Sequence, residues 1–284
     1  QILRISACAN WANYALAFYD ANGKFLGGKD SENVTTFTVY NNEIVVAPLG
    51  AVVLRIAYRT TEMTGKVELL TGSRRPTKWA GAKWVCLGDS LTEGNARAAK
   101  RYHDYVAEAT GINVVNMGMD GTGYKRGEDS GNAFYHRVTS VPTDADVVTI
   151  FGSGNDLAYA DKLGDPTDTG TDTICGCINA TIDALIARIP TVSLGIVAPT
   201  PWASQPPSEV DNKMARYTEA LRAICELRSI PFLDLYHASN LRPWTAEGRA
   251  ACYSKDNGNG VHPDENGHKL IAPRFKAFLE TILL

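Results

Sequence analysis

Lys83-Trp84-Val85-Cys86-Leu87-Gly88-Asp89-Ser90-Leu91-Thr92-Glu93-Gly94 is the stretch on which the fold of this chain turns. Trp84 to Leu87 is an unbroken apolar run stopped by a glycine, the pattern of a short strand buried on both faces. The run delivers a serine flanked by Gly88 and Gly94, and small residues at a strand end let a substrate approach the backbone closely. A serine placed here would equally well cap a following helix. The segment alone supports both readings.

Downstream, the same grammar repeats. Apolar strands are expected at 83–87, 113–117, 147–151, 191–197 and 231–233, with helices between them. Ile174, Ile178, Ile182, Leu185 and Ile189 form one helical stripe, and Met214, Tyr217, Leu221 and Ile224 a second. Ile271, Phe275, Phe278 and Ile282 form a third, whose first turns Pro273 is expected to bend. Buried strands alternating with helices predict a parallel sheet in a three-layer α/β/α domain over 83–284. Long polar segments at 160–172 and 199–208 follow strands, where such sheets carry their sites.

Upstream, the grammar is different. Strands rich in Val, Ile, Tyr and Phe are expected at 14–19, 37–40, 43–46, 51–58 and 66–70. Asp20-Ala21-Asn22-Gly23 and Asn41-Asn42 read as turns between them. This predicts a small antiparallel, sandwich-like all-β domain over 1–72. The polar run Thr71-Gly72-Ser73-Arg74-Arg75-Pro76-Thr77 opens a linker, 73–82.

Composition narrows the function classes. A 44% hydrophobic and 21% charged chain with net charge −3 is an ordinary globular protein, with no basic footprint for nucleic acid. No stretch approaches the ~20 apolar residues of a membrane span, so no membrane insertion is expected. Gln1 begins inside an apolar alternation, as in a piece of something longer, so a missing signal segment says little about location. The six cysteines show no zinc-type pairing, and Cys175 and Cys177 read as buried free thiols.

Three further segments carry chemistry. Asn116-Met117-Gly118-Met119-Asp120-Gly121-Thr122-Gly123 leaves backbone N–H groups unshielded, as an oxyanion site requires, though a glycine turn needs no such role. Gly152-Ser153-Gly154-Asn155-Asp156 offers an amide donor, in residues that also make ordinary turns. Asp256-Asn257-Gly258-Asn259-Gly260-Val261-His262-Pro263 puts a histidine in a glycine-rich loop, free to face a cleft. His103, His136, His237 and His268 have no such surroundings and read as structural or exposed.

Taken together and in this order, Gly-Asp-Ser-Leu, Asn-x-Gly-x-x-Gly, Gly-x-Asn-Asp and Val-His-Pro resemble the SGNH (GDSL-type) hydrolases, over residues 84–284. The resemblance implies a flavodoxin-like sheet and a serine esterase. It makes Ser90 the nucleophile, Ser90 and Gly121 backbone oxyanion donors, Asn155 the side-chain donor and His262 the general base. It calls for neither metal nor organic cofactor. The family usually places an aspartate three residues before the histidine; here Asn259 stands there. The imidazole partner is left open among Asp256, Asn259 and a backbone carbonyl.

The N-terminal strands resemble β-sandwich modules beside such hydrolases in phage tail and gut-bacterial surface proteins. That likeness rests on Ala17-Phe18-Tyr19-Asp20-Ala21-Asn22-Gly23-Lys24-Phe25-Leu26 and on Val53-Leu54-Arg55-Ile56-Ala57-Tyr58. It implies an extracellular, cell-surface or virion-associated protein. The expected substrate is a small ester or acylated carbohydrate bearing short acyl, foremost acetyl, groups. Tyr124, Tyr159, Trp202 and Trp244 are the aromatics available to stack on sugar rings, with packing their default role. The alternative is a weak or inactive hydrolase-fold binding component, which Asn259 favours.

Overall fold

The structure is a computed structural model that describes residues 2–9, 16–29, 38–46, 53–56, 66–70, 79, 81–209 and 211–283. The chain divides into two compact units, Gln1–Thr77 and Lys78–Leu284.

The first unit holds β1 (Ile2–Ala9), β2 (Leu16–Tyr19), β3 (Phe25–Lys29), β4 (Thr38–Val46), β5 (Val53–Ile56) and β6 (Lys66–Leu70). They form two three-stranded antiparallel sheets, ordered β4-β1-β6 and β3-β2-β5. The Asp20–Gly23 turn joins β2 to β3, with Asp20 Oδ1 accepting from the N–H groups of Asn22 and Lys24. Asn41-Asn42 is not a turn. β4 runs straight through it, pairing with β1 on both sides, and the pairing shifts register between Ile5 and Ala7. The asparagines sit in a bulge, which ladder pairing on either side holds open. Residues 71–78, most of the expected linker's start, lie outside the described residues.

The second unit contains, in order, β7 (Lys83–Gly88), α1 (Tyr102–Thr110), β8 (Asn113–Gly118), α2 (Phe134–Arg137), β9 (Val147–Phe151) and α3 (Ile174–Arg188). Then follow β10 (Ser193–Val197), α4 (Lys213–Leu227), β11 (Phe232–Leu233), α5 (Leu235–Ala238), α6 (Ala246–Cys252) and α7 (Glu265–Ile282). The five strands are parallel, ordered β11-β10-β9-β7-β8. From β7 onward this is the 2-1-3-4-5 order of a flavodoxin-like sheet, whose switch point lies between β7 and β9.

Strand alternation assigns the two faces. Val85 and Leu87 pack with Ile178, Ile182, Leu185, Met214, Leu221 and Ile224 of α3 and α4. Trp84 and Cys86 pack with Tyr102 and Val106 of α1 and Phe275, Leu279 and Ile282 of α7. Both faces are covered, giving three layers. α3 and α4 are capped by Thr173 and Asn212, whose side chains accept from Gly176 N and Ala215 N. α7 begins at Glu265, capped by Asp264, and continues through Pro273. α1 falls in the interval between the first two strands where a helix is expected, but no stripe marks its bounds, because its buried apolar positions are only Tyr102 and Val106. Its start is held by Asp104, whose carboxylate accepts from the Arg101 N–H at 2.7 Å.

Trp79, inside the stretch read as linker, belongs to this core and is 2% exposed. Its carbonyl accepts from Ala82 N. A fragment from Lys78 should therefore melt cooperatively. One starting at Lys83 should be destabilised by ~3–5 kcal/mol, the cost of deleting a buried large aromatic; denaturant titration of the two fragments reads the difference.

Candidate active site

β7, β8 and β9 end level with one another. Gly88 pairs with Gly118, and Leu87 with both Met117 and Ile150. The segments leaving these strands therefore emerge side by side at the carboxyl edge.

After β7 the chain makes a tight turn at Ser90, not a helix; α1 begins only at Tyr102. Thr92 N and Glu93 N both donate to Asp89 O, at 3.0 and 2.9 Å. Asp89 Oδ1 accepts from Leu91 N at 2.9 Å, so the aspartate side chain closes the turn over the serine. Arg101 holds the outer side of this turn, donating to Glu93 O and Asn95 O, while Asn95 Nδ2 donates to Ser90 O. Arg101 Nη1 also donates to His268 Nε2, and burial pushes the His268 pKa well below its ordinary value.

His262 Nε2 lies 3.1 Å from Ser90 Oγ, and His262 Nδ1 lies 2.8 Å from Asp256 Oδ1. Asp256 Oδ2 accepts from Val261 N at 2.7 Å. The Asn-Gly-Asn-Gly loop makes this reach possible: Asn257, Gly258 and Gly260 have φ of +50°, +81° and +62°. Three left-handed residues fold the loop back so that a carboxylate six positions upstream meets the ring. The loop is thus fixed locally, by its own left-handed turns and the Val261 N–H. Asn259 is exposed, and its N–H donates to Asp256 O. The structure places Asp256 on the imidazole and Asn259 away from it.

Asn155 follows β9 at the start of the 3₁₀ segment Gly154–Lys162. Its Nδ2 donates to Thr122 O at 3.0 Å and approaches Asp89 Oδ2 at 3.4 Å. Asn155 is thereby tied to the residue next to Gly121. Gly121 has φ +72°, a conformation costly for any residue with a Cβ. Asp156 fixes the rest of that loop: its buried carboxylate accepts from Tyr124 N, Lys125 N, Arg126 N and Tyr217 Oη.

A pocket of about 60 Å³ opens beside the serine, lined in part by Ser90, Gly154, Asn155, Pro199, Trp202 and His262. Trp202 lies directly on Gly154, where a Cβ would meet its ring at 2.3 Å. Of the other aromatics, Tyr124 is fully buried and offers no face to a sugar. Tyr159 packs against the core with Lys125 Nζ 5.7 Å from its ring, and Trp244 is 38% exposed.

Sequence reasoning quoted Asp89 without giving it a role, and did not find Ser153. Ser153 Oγ donates to Asp89 Oδ2 at 2.6 Å and accepts from Asn155 N. The signal was present, since the Asp of Gly-Asp-Ser-Leu and the Ser of Gly-Ser-Gly-Asn end adjacent strands. Among the described residues no group of His, Cys, Asp or Glu is arranged to hold a metal, and no helix is long and apolar enough to cross a membrane.

The profile of the GDSL-like Lipase/Acylhydrolase family matches residues 86–270, well over half the chain. The chain belongs to this family. Among solved structures, a protein from Lactobacillus plantarum is similar at 23% identity and TM-score 0.63, over 72% of this chain and 99% of that one. A carbohydrate esterase family 3 structure from Talaromyces cellulolyticus is similar at 18% identity and TM-score 0.51, over 71% and 98%. At these identities the likeness is one of fold. Comparison with curated proteins gives no match.

Burial pushes the Asp89 carboxyl up to about 6, against the pull of the Ser153 and Leu91 hydrogen bonds. A carboxyl raised on folding favours the protonated form in the native state. Its contribution is greatest below the unfolded value of 3.8 and is lost as pH rises through about 6. Asp89→Asn, which cannot ionise, should therefore gain stability relative to the native protein between pH 4 and pH 8, by about 3 kcal/mol. Denaturant titrations at the two pH values measure this.

Proposed function

We propose that this protein is a serine esterase that hydrolyses short acyl esters, acetyl foremost, carried on carbohydrate. The observation that carries the reading is one unbroken line, Asp256 carboxylate to His262 Nδ1, His262 Nε2 to Ser90 Oγ, ending at a pocket of about 60 Å³.

In this reading Asp256 accepts a hydrogen bond from His262 Nδ1–H, which leaves the unprotonated Nε2 free to act as base. His262 takes the Ser90 proton as Oγ attacks the ester carbonyl. The carbonyl oxygen becomes an anion, received by the N–H groups of Ser90 and Gly121 and by Asn155 Nδ2. Collapse expels the alcohol, protonated by His262. Water then repeats the sequence on the acyl-serine, releasing the acid and restoring the serine.

The small pocket supports a short acyl group. Trp202 and Gly154 meet across it, so a longer chain would have to displace an indole seated on backbone. Trp202, half-buried at the pocket beside Ser90, supports a carbohydrate on the alcohol side, since part of the indole remains open to solvent there. The fold shared with a carbohydrate esterase agrees with this assignment. The rival reading, an inactive binding component, drew on Asn259. The Asp256 carboxylate beside His262 Nδ1 supports the esterase reading over it.

Purified protein should release p-nitrophenol from the acetyl ester in preference to the hexanoyl ester, and Ser90→Ala should abolish both reactions. Asp256→Ala should lower kcat by about 10⁴, the scale set by losing the orienting carboxylate in a serine protease. Asn259→Ala should change kcat little; a large loss there with a small one at Asp256 would reverse the assignment. Trp202→Ala should raise kcat/KM for the hexanoyl ester relative to the acetyl ester. Acetate release from a panel of acetylated polysaccharides against acetylated non-sugar alcohols tests the carbohydrate assignment.

A further inference from the structure

Arg137 stands outside every motif that marks this family in the chain, at the end of α2. Its guanidinium is half-buried and reaches three separate segments. Nη1 donates to Thr122 Oγ1 at 2.9 Å and to Gly88 O at 3.3 Å. Nη2 donates to Met117 O and, at 3.4 Å, to Gly88 O. Gly88 ends β7 just ahead of Ser90, Met117 is the next-to-last residue of β8, and Thr122 follows Gly121.

Gly121 needs such support. Gly121 is exposed, and an added Cβ would meet nothing within 4 Å, so open space lies on that side of this left-handed residue. Its position depends on its neighbours, and these are tied on every side. Thr122 Oγ1 accepts from Arg137 and donates to Met119 O at 2.7 Å. Thr122 O accepts from Asn155 Nδ2, and Gly123 O accepts from Phe134 N at the start of α2. Arg137 itself is steadied by the Phe134 ring, 5.5 Å from its Cζ. Among the described residues it forms no ion pair, and the groups it binds are carbonyls and one hydroxyl. A planar fork with several fixed donors suits this task, where a lysine would offer one point of contact.

We propose that Arg137 is a positioning residue for the oxyanion hole, locking the Gly121–Thr122 segment to the strand end that carries Ser90. The inference rests on the esterase reading for its effect on rate, but its structural content does not. Donors must sit about 2.7–3.1 Å from the position where the oxyanion develops, and misplacement by ~1 Å can cost 10²-fold in rate.

The test uses the full chain with Arg137→Ala and Arg137→Lys. Arg137→Ala should lower kcat on p-nitrophenyl acetate by about 10- to 100-fold with KM little changed, because an oxyanion donor acts on the transition state. Millimolar guanidinium, far below denaturing concentrations, should restore part of that kcat, and the same concentration of sodium chloride should not. Arg137→Lys should keep the fold and fall between the two. Hydrogen exchange read by mass spectrometry should show faster exchange over residues 117–126 in both variants, with β9 and α3 unchanged. A folded Arg137→Ala with wild-type kcat, or with wild-type exchange over 117–126, overturns the proposal. If Arg137→Ala does not fold, the same two readouts on Arg137→Lys decide it in the same way. A native protein inactive on every ester would sink the esterase reading, while the exchange experiment would still decide whether Arg137 braces the loop.

Discussion

The level termination of three neighbouring parallel strands is the constraint on which everything at this site depends. Ser90, Gly121 and Asn155 are far apart in sequence and share no local element. They meet because Gly88 is in register with Gly118 and Leu87 with Ile150, so β8, β7 and β9 release their chains at one height. Ladder hydrogen bonds slanted between parallel strands hold that register, and a one-residue slip would exchange Trp84 and Val85 between the two cores. The switch point of the 2-1-3-4-5 order falls between β7 and β9, which is where the crevice opens and where Ser90 and Asn155 stand.

A sheet edge supplies position but not rigidity, and the polar groups beneath the site supply the rest. Two buried carboxylates, Asp89 and Asp156, gather backbone N–H groups from the loops above them. Two arginines, Arg101 and Arg137, gather carbonyls. Burial opposes ionisation in all four: it raises the pKa of both aspartates and lowers that of both arginines. An apolar core would be cheaper at these positions. What the charged groups add is direction, since each hydrogen bond fixes a loop atom at a set distance and angle, which close packing of alkyl groups does not do.

Much of this architecture was legible in the sequence because its signals are periodic. The apolar stripe of Ile174, Ile178, Ile182 and Leu185, and the three strand-end motifs followed by the late Val-His-Pro, follow from rules that act over a few residues. The bounds of α1 were not legible because its stripe is two residues long and its start is held by Arg101 and Asp104. Asn41-Asn42 misled because turn-forming residues also make bulges, and only pairing with β1 tells them apart. Trp79 was assigned to a linker because its burial depends on contacts with α7, made across almost the whole domain. Arg137 carried no signal: its partners lie in three segments that only the folded sheet edge assembles.

The loop bearing Asp256 shows how one local device constrains two parts of the site. A shorter spacing would place a carboxylate near the ring with little loop to order, whereas the longer Asn-Gly-Asn-Gly stretch loses more conformational freedom on folding. The structure offsets that loss with contacts. Gly260 O accepts from Ala203 N, and a Cβ on Gly260 would meet the Ala203 and Pro243 side chains at 2.7 and 3.0 Å. Ala203 adjoins Trp202, whose ring rests on Gly154 beside Asn155. The loop that carries Asp256 and the wall of the pocket beside Ser90 are therefore in direct contact. The Trp202 wall and the backbone that carries Asp256 thus share the Ala203–Gly260 contact, so the side chain lining the pocket and the carboxylate beside His262 are held through one short stretch of main chain.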